Sequence, residues 1–253
     1  MILRRVIAHF RKQEWTAIFL DFLIVVVGVF MGFQITDLAG LRADREAEMR
    51  HLEEIAEDLR ADLDSFKQIR IGARARIGAV NYLLREARNE ALPEEIVLST
   101  DIFAAPGEEP DPEGGRSNLL GRANLVRTTY GNRTGFEALI GSGDLKLIRD
   151  RAIGRQIQKY YASFDDVWNT QAMMREIRND GVAVGYALGL SAFGDVAEER
   201  LIEIVRGSDA YAAYLRTTRE WAAIQLGQLD EQASRASALL TSIDDYLDGR
   251  GEP

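Results

Sequence analysis

Apolar residues form an unbroken run near the start of the chain and then recur at helical spacing through most of the remainder. From Trp15 to Ile35 the sequence reads WTAIFLDFLIVVVGVFMGFQI, and residues 22–33 include no polar side chain. At roughly 1.5 Å per residue, such a run spans about the 30 Å hydrocarbon core of a bilayer. The pattern predicts one transmembrane helix over residues 15–35.

Two explanations fit an apolar run in this position: a retained anchor and a cleaved signal peptide. A signal peptide needs small residues just before its cleavage site. Residues 36–40, which read Thr-Asp-Leu-Ala-Gly, match that requirement poorly. We therefore expect the run to remain in the protein as a membrane anchor.

Residues 1–14 have the pattern of a helix that lies in the membrane interface, because apolar residues recur at helical spacing among basic ones. The basic residues expected to contact the membrane surface are Arg4, Arg5, Arg11 and Lys12. The positive-inside rule then places the N-terminus in the cytoplasm and the body on the other side. Arginines at positions 42, 45 and 50 follow the span and weaken this bias.

One acidic residue interrupts the apolar run, and it shares a helix face with two glycines. Asp21, Val25, Gly28 and Gly32 are four, three and four positions apart, which places them on one stripe. A carboxylate inside a span costs about 2.5 to 3.5 kcal/mol at mid-helix, and a GxxxG pair lets a partner backbone approach closely. The stripe predicts helix association; the alternative is that Asp21 extends toward the headgroups and the glycines have no special role.

The run resembles the N-terminal signature of a bacterial family of single-pass membrane proteins with a domain of unknown function. That signature is an acid, a Leu/Ile/Val run, a glycine seven residues after the acid and a glutamine six residues further, the spacing of Asp21, Gly28 and Gln34. Residues 134–150, followed by tyrosines at 160–161, resemble a second family segment. The chain differs just past the membrane, where Thr-Asp-Leu replaces Asn-Asn-Trp. The resemblance supports a retained anchor in a bacterial membrane protein, and it implies no known activity and no catalytic residues. With the orientation from the positive-inside rule, the expected location is the bacterial inner membrane with a periplasmic body.

Residues 36–90 are predicted to form one long stalk helix, because they contain no proline and their apolar residues step by threes and fours as in a heptad seam. The seam consists of Leu52, Ala56, Leu59, Leu63, Phe66, Ala73, Ile77, Val80 and Leu84. We expect a kink or a change of packing partner at residues 70–78, where Arg70 falls on the seam and two glycines weaken it. Residues 91–117 hold four of the five prolines and predict a loop.

Residues 118–253 are predicted to form a helical bundle. Thr134 and Glu137 have the spacing of a capping box at a helix start, and Asp150 predicts the cap of the next helix, which extends to about Ile177. These signals predict short connections between neighbouring helices.

An aromatic row lies within that second helix at a spacing of four residues: Tyr160, Phe164 and Trp168. Such a row packs in a core or stacks on a ligand, and we expect core packing. Residues 181–193 are glycine-rich and apolar, and they predict a short strand or a packed turn.

The last long helix is predicted over residues 209–247. Its seam consists of Tyr211, Leu215, Thr218, Ala222, Leu226, Leu229, Ala233, Ala236, Leu240, Ile243 and Leu247. Two long seams favour antiparallel pairing, with the last helix packed back on the stalk. The predicted fold is therefore mainly α: a single N-terminal transmembrane helix followed by a long-helix, coiled-coil-like helical bundle.

Composition excludes several kinds of function. The formal charge of −9 disfavours binding to nucleic acid, which depends on Lys and Arg at the phosphates. The absence of cysteine excludes disulfides, thiolate metal sites and a cysteine nucleophile. The two histidines, His9 and His51, have no metal-ligand spacing, and we expect His51 to be solvated. The sequence thus predicts no catalytic residues, no cofactor and no metal.

These observations favour a non-catalytic, membrane-anchored helical scaffold or accessory subunit of a membrane protein assembly. Its expected partners are the lipid bilayer and, through the stripe, a second copy or another membrane protein. The alternative is an extracytoplasmic sensing module that binds a ligand between helices and transmits a shift through the stalk and the span. A membrane enzyme that uses Asp21 for proton transfer is a third class, which the sequence supports least.

Overall fold

The computed structural model describes residues 15–93, 95–97, 104–106, 118–124, 126–191 and 194–249. The basic residues Arg4, Arg5, Arg11 and Lys12 lie outside them. The helices are α1 (Trp15–Arg88), α2 (Leu119–Asn124), α3 (Thr134–Gly141), α4 (Arg151–Ala162), α5 (Phe164–Ala187), α6 (Glu198–Gly207) and α7 (Asp209–Asp248), with a 3₁₀ helix at Asp144–Leu147. Two short strands, β1 (Glu95–Val97) and β2 (Ala104–Pro106), pair antiparallel within the predicted loop. The mainly α class with a long N-terminal helix is confirmed.

The chain divides into two compact units, residues 1–50 and 51–253. In the first unit the described part of α1 has exposed apolar side chains, with Phe22 64 % and Val25 63 % exposed. Among the described residues, α1 alone is long and apolar enough to cross a membrane, judged by length and composition. Water disfavours so much exposed apolar surface, whereas lipid does not.

In the second unit, the part of α1 from residue 52 onward packs in the bundle with one face buried. The predicted seam is buried at every position except Leu63, which is partly buried. The seam of α7 is buried likewise, with only Ala233, Leu240 and Leu247 partly exposed. Both heptad patterns therefore identify the core-facing side of their helices, and α1 is continuous through residues 70–78.

Helix α7 runs antiparallel to the second half of α1. Polar contacts between the two helices recur along their length. From one contact to the next, the residue number rises on α1 and falls on α7. The pairs are Arg60–Asp244, Arg70–Asp230, Arg76–Gln225, Asn81–Arg219 and Arg88–Asp209. Buried apolar side chains between these contacts include Phe66, Ile77, Leu215 and Ala236.

Two predicted helix starts have different outcomes. Asp150 caps α4 as predicted, because its carboxylate accepts hydrogen bonds from the N–H groups of Ala152 and Ile153 at 2.7 and 3.2 Å. The capping box at Thr134 is wrong: Arg133 occupies the cap position, and its own side chain makes no capping hydrogen bond. The N–H of Gly135 instead donates to the carboxylate of Asp58 on α1, at 2.7 Å.

The helix predicted from Asp150 to Ile177 is two helices, α4 and α5, which meet at Ser163. Of the two alternatives predicted for residues 181–193, the short strand is wrong in the described part, because α5 continues to Ala187, and a turn follows at Gly189, where φ is +80°. Position 181 of α5 needs glycine because α7 lies close to it. A Cβ on Gly181 would lie 1.9 Å from the ring of Tyr214. Gly181 therefore permits close packing of α5 on α7, whereas Gly189 lies in the turn after α5.

Candidate functional site

The predicted transmembrane stripe lies on α1. Val25, Gly28 and Gly32 are exposed, and a Cβ added at either glycine would meet no atom within 4 Å. The side chain of Asp21 lies outside the described part of the chain. The two glycines are thus not needed for packing within this chain, and the association predicted for the stripe stays a prediction.

A segment without regular secondary structure, residues 126–133, lies across the bundle; we call it the strap. Side chains from helices satisfy its backbone groups. Gln225 on α7 donates to the carbonyl of Arg127 at 2.7 Å, and Gln171 on α5 donates to the carbonyl of Thr129 at 3.0 Å. These side chains supply hydrogen bonds of the kind that a neighbouring strand would provide.

Near its C-terminal end, the strap is hydrogen-bonded to a buried carboxylate. Asp62 on α1 has no exposed surface, and its Oδ1 accepts hydrogen bonds from the backbone N–H of Asn132 at 2.7 Å and from Nδ2 of the same residue at 2.9 Å. Its Oδ2 accepts a hydrogen bond of 2.6 Å from the hydroxyl of Tyr160 on α4. One carboxylate therefore joins α1, α4 and the strap, and it is inaccessible to a substrate.

One helical turn earlier, α1 and α3 approach closely at Gly135. A Cβ on Gly135 would lie 2.9 Å from the backbone of Glu54 and Ile55, so only glycine fits. This approach places the Gly135 N–H within reach of Asp58, four residues before Asp62 on the same face of α1. The two carboxylates together attach the strap and the start of α3 to α1.

Burial raises the pKa of both carboxyl groups. For Asp62 desolvation outweighs the hydrogen bonds from Tyr160 and Asn132, which act in the opposite direction. For Asp58 desolvation is again the largest cause, and the hydrogen bond from Gly135 opposes it. The pKa of Tyr160 is raised by burial and by the neighbouring Asp62 charge, so its hydroxyl stays protonated and donates. The arrangement is that of a structural polar network.

Trp168 is not in the core. It is 49 % exposed, and its ring lies 4.7 Å from that of Tyr130 on the strap, which is 47 % exposed. The guanidinium of Arg175 lies over the Trp168 ring, with its carbon 5.4 Å from the centroid, and donates to the Tyr130 hydroxyl at 3.4 Å. We call these three side chains the aromatic cluster. Core packing is correct for Tyr160 and Phe164 and wrong for Trp168.

A surface groove of about 610 Å³ lies between α7 and the junction of α4 with α5. Its floor contains Tyr160, Ser163 and Leu239, which are buried, and its charged side chains are Lys159, Asp166 and Arg235. Its volume suits a small molecule. Among the described residues, no group of three His, Cys, Asp or Glu side chains could hold a metal ion.

His51 is not the solvated residue that its charged neighbours suggested. Its side chain is 14 % exposed, and its Nε2 lies 3.2 Å from Oδ2 of Asp144 in the 3₁₀ helix, with Nδ1 at 3.6 Å from Glu54. Hydrogen bonds from Ser142 and His51 lower the pKa of Asp144. The contact attaches the turn after α3 to α1.

Sequence reasoning missed the strap and its anchors. Asp58 and Asp62 stand in an acidic stretch of α1 in which Glu57 and Asp64 are exposed, so residue type alone does not separate the buried carboxylates from the solvated ones. The available signal was the pair of glycines at 131 and 135, which mark a positive φ and a close approach.

The fold defines a mainly α-helical protein with one long, apolar N-terminal helix and a helical bundle. Comparisons of the chain with family models, curated proteins and solved structures find no match. Its resemblance to the family with a domain of unknown function stays a prediction.

Proposed function

We propose that the chain is a non-catalytic, membrane-anchored helical scaffold or accessory subunit of a membrane protein assembly. The observation that carries this proposal is that one helix, α1, has exposed apolar residues over its first part and core positions of the bundle over its second. A helix of this kind suits a protein that holds a folded body at a bilayer. The buried carboxylate network supports a structural role, since Asp62 has no exposed surface.

We further propose a bacterial inner-membrane location with the N-terminus in the cytoplasm and the body in the periplasm. The basic residues before the span support this orientation. The proposed partners are the bilayer and, through Asp21, Val25, Gly28 and Gly32, a second copy or another membrane protein. The open space at both glycines supports this contact.

Carbonate extraction of membranes that contain the full chain tests the anchor. We expect the chain to stay in the membrane pellet, because hydrophobic transfer holds it there. Replacing Val27 and Val29 with Arg should release it, at about 2.5 to 3.5 kcal/mol per charge near the bilayer centre. The same change at Leu38, which is exposed and lies after the predicted span, should leave it in the pellet. Release of the parent chain would refute the anchor.

Native electrophoresis after mild solubilisation tests the role as an assembly subunit. We expect the chain to migrate in a complex with at least one other membrane protein or copy. Migration as a lone chain in several mild detergents would contradict the scaffold.

A second candidate function is an extracytoplasmic sensing module. The groove between α7 and the α4–α5 junction supports it, because its volume suits a small ligand and its wall includes cations and an acid. Thermal-shift screening of the parent against small zwitterions and anions, with Arg235→Ala as the comparison, tests this candidate. A stabilisation that Arg235→Ala removes would favour sensing over scaffolding.

A further inference from the structure

Helix α4 exposes three cations to solvent, and its sequence contains no acidic residue. Arg151, Arg155 and Lys159 are exposed and lie four residues apart, so they form one line along the helix, which we call the basic stripe. Within the described part of the chain, none of the three side chains forms an ion pair or a hydrogen bond. A chain with a formal charge of −9 thus has one helix face on which positive charge is not balanced.

Helix α1 exposes a pair of acids at the same spacing. Glu53 and Glu57 are exposed and four residues apart, and they form no ion pair among the residues that the structure describes; we call them the acidic stripe. Of the two nearest exposed cations on α1, Arg50 lies one turn before Glu53, and Arg60 is already paired with Asp244 at 2.8 Å. Between these two arginines the outer face of α1 is acidic.

Helices α1 and α4 run in the same direction, and two contacts show which of their residues lie level with each other. The hydroxyl of Tyr160 donates to Asp62 at 2.6 Å. Four residues further along both segments, the ring of Phe164 stacks on that of Phe66, with the centroids 6.4 Å apart. The difference in residue number is the same for both pairs, as expected for two parallel helices with equal rise per residue.

The same difference in residue number places Glu53 level with Arg151 and Glu57 level with Arg155. These side chains do not meet within one chain, because both stripes face solvent. They can meet between two copies that are related by a rotation axis parallel to the helices, since such a rotation leaves every residue at its own level. The stripes are therefore complementary in charge, spacing and level.

We propose that the basic stripe of one copy binds the acidic stripe of a second copy in a parallel arrangement. Arg151 pairs with Glu53 and Arg155 with Glu57, and the planar guanidinium suits such carboxylate contacts. An exposed ion pair is weak by itself, but confinement of the copies to one membrane raises their effective concentration. The inference rests on the proposed anchor, because copies held by the same N-terminal helix in one bilayer point the same way. It assigns a contact between copies outside the membrane.

Crosslinking between copies in native membranes tests the contact. The chain has no cysteine of its own, so each introduced cysteine is unique. One tagged copy contains Ala61→Cys, and a differently tagged copy contains Lys159→Cys. The same difference in residue number places these exposed positions at one level, and both proposed ion pairs stay intact. A short bismaleimide should join the two tagged chains, less so as salt is added.

Charge reversal shows whether the stripes hold the copies together. Adding Glu57→Arg to the first copy should lower the crosslinked fraction about tenfold, because two arginines then face each other. Adding Arg155→Glu to the second copy should restore it, because the pair forms again with its charges exchanged. Glu220→Arg is the matched control, since Glu220 is exposed on α7 outside both stripes, and it should leave the fraction within about twofold of the parent.

The proposal is overturned if the two tagged chains do not crosslink, if Arg155→Glu fails to restore the crosslink, or if Glu57→Arg and Glu220→Arg have equal effects. Crosslinking of Ala61→Cys only to another Ala61→Cys chain would also overturn it, because the copies would then meet along α1 alone. Each of these outcomes leaves carbonate extraction unchanged, so failure of this contact is distinct from failure of the anchor.

Discussion

The hydroxyl of Tyr160 donates a 2.6 Å hydrogen bond to Oδ2 of Asp62, a carboxylate with no exposed surface. The other oxygen of Asp62 accepts from Asn132. This contact joins two helices and the strap at one buried charge. A buried carboxylate is tolerated only when its oxygens are satisfied, which makes the surrounding geometry specific.

Asp62→Ala should therefore destabilise the bundle. We expect a loss of about 2 to 4 kcal/mol, because the buried donors of Tyr160 and Asn132 lose their acceptor, partly offset by removal of a buried charge. Urea denaturation of the full chain in neutral detergent, followed by circular dichroism, measures the change. Asp64→Ala is the control, because Asp64 is exposed and forms a surface ion pair with Lys67, and it should change stability by less than about 0.5 kcal/mol. Similar losses from both variants would show that Asp62 is not a structural anchor.

The stability should also depend on pH through Asp62. Its pKa in the folded chain is raised, so the ionised form costs stability above that pKa, and the cost disappears as the pH falls to the ordinary value of 3.8. The free energy of unfolding of the parent, minus that of Asp62→Asn, should be lowest at neutral pH and rise on acidification through this window. Urea denaturation of both proteins across that range measures the difference. A difference that falls on acidification would mean that the folded pKa is lowered.

Along the seam of α1, the free energy of unfolding lost on substitution should depend on how deeply each residue is buried. Leu59→Ala should cost about 2 to 5 kcal/mol, because Leu59 is fully buried and its removal leaves a cavity. Leu63→Ala should cost less, because Leu63 is only partly buried. Glu53→Ala, on the exposed face, should stay within about 0.5 kcal/mol in the same denaturation experiment. Equal effects at Leu59 and Glu53 would contradict the assignment of the core face.

Two glycine-to-alanine substitutions should change the free energy of unfolding in opposite directions. Gly135→Ala should destabilise by about 1 to 3 kcal/mol, because the new Cβ would lie 2.9 Å from the backbone of α1. Gly154→Ala should stabilise by about 0.5 to 1 kcal/mol, because that Cβ meets only an ordinary contact and alanine favours helix. Denaturation midpoints compare them directly. A stabilising Gly135→Ala would mean that α3 does not approach α1 so closely.

The transmembrane stripe predicts a face-specific effect on helix association. Gly28→Leu or Gly32→Leu should abolish crosslinking of the span in native membranes by filling the groove, whereas Val27→Leu on another face should not. Asp21→Asn should preserve association through an amide hydrogen bond, and Asp21→Leu should weaken it by about 0.6 to 2 kcal/mol. If Gly28→Leu crosslinks like the parent chain, this stripe is not where two copies meet.

Patterns that repeat along the chain were sufficient to predict the helices. The apolar run and the two seams identify α1 and α7 and their buried faces, because a helix places every third or fourth residue on one side whatever lies opposite. The cap at Asp150 was predictable for a similar reason, since its carboxylate bonds to N–H groups two and three residues away. Local geometry determines both.

Tertiary structure alone decided which polar and aromatic residues are buried. Asp62 and Asp64 are chemically identical and two residues apart, yet only Asp62 faces Tyr160 and the strap. Trp168 continues the spacing of Tyr160 and Phe164, but at this point the side chain that packs on it is Tyr130 of the strap and not a residue of another helix. Helix α5 continues through Gly181, and the ring of Tyr214 on α7 occupies the space that a larger side chain at this position would need. In each case the outcome depends on a residue distant in sequence, and periodicity within one helix carries no information about that partner.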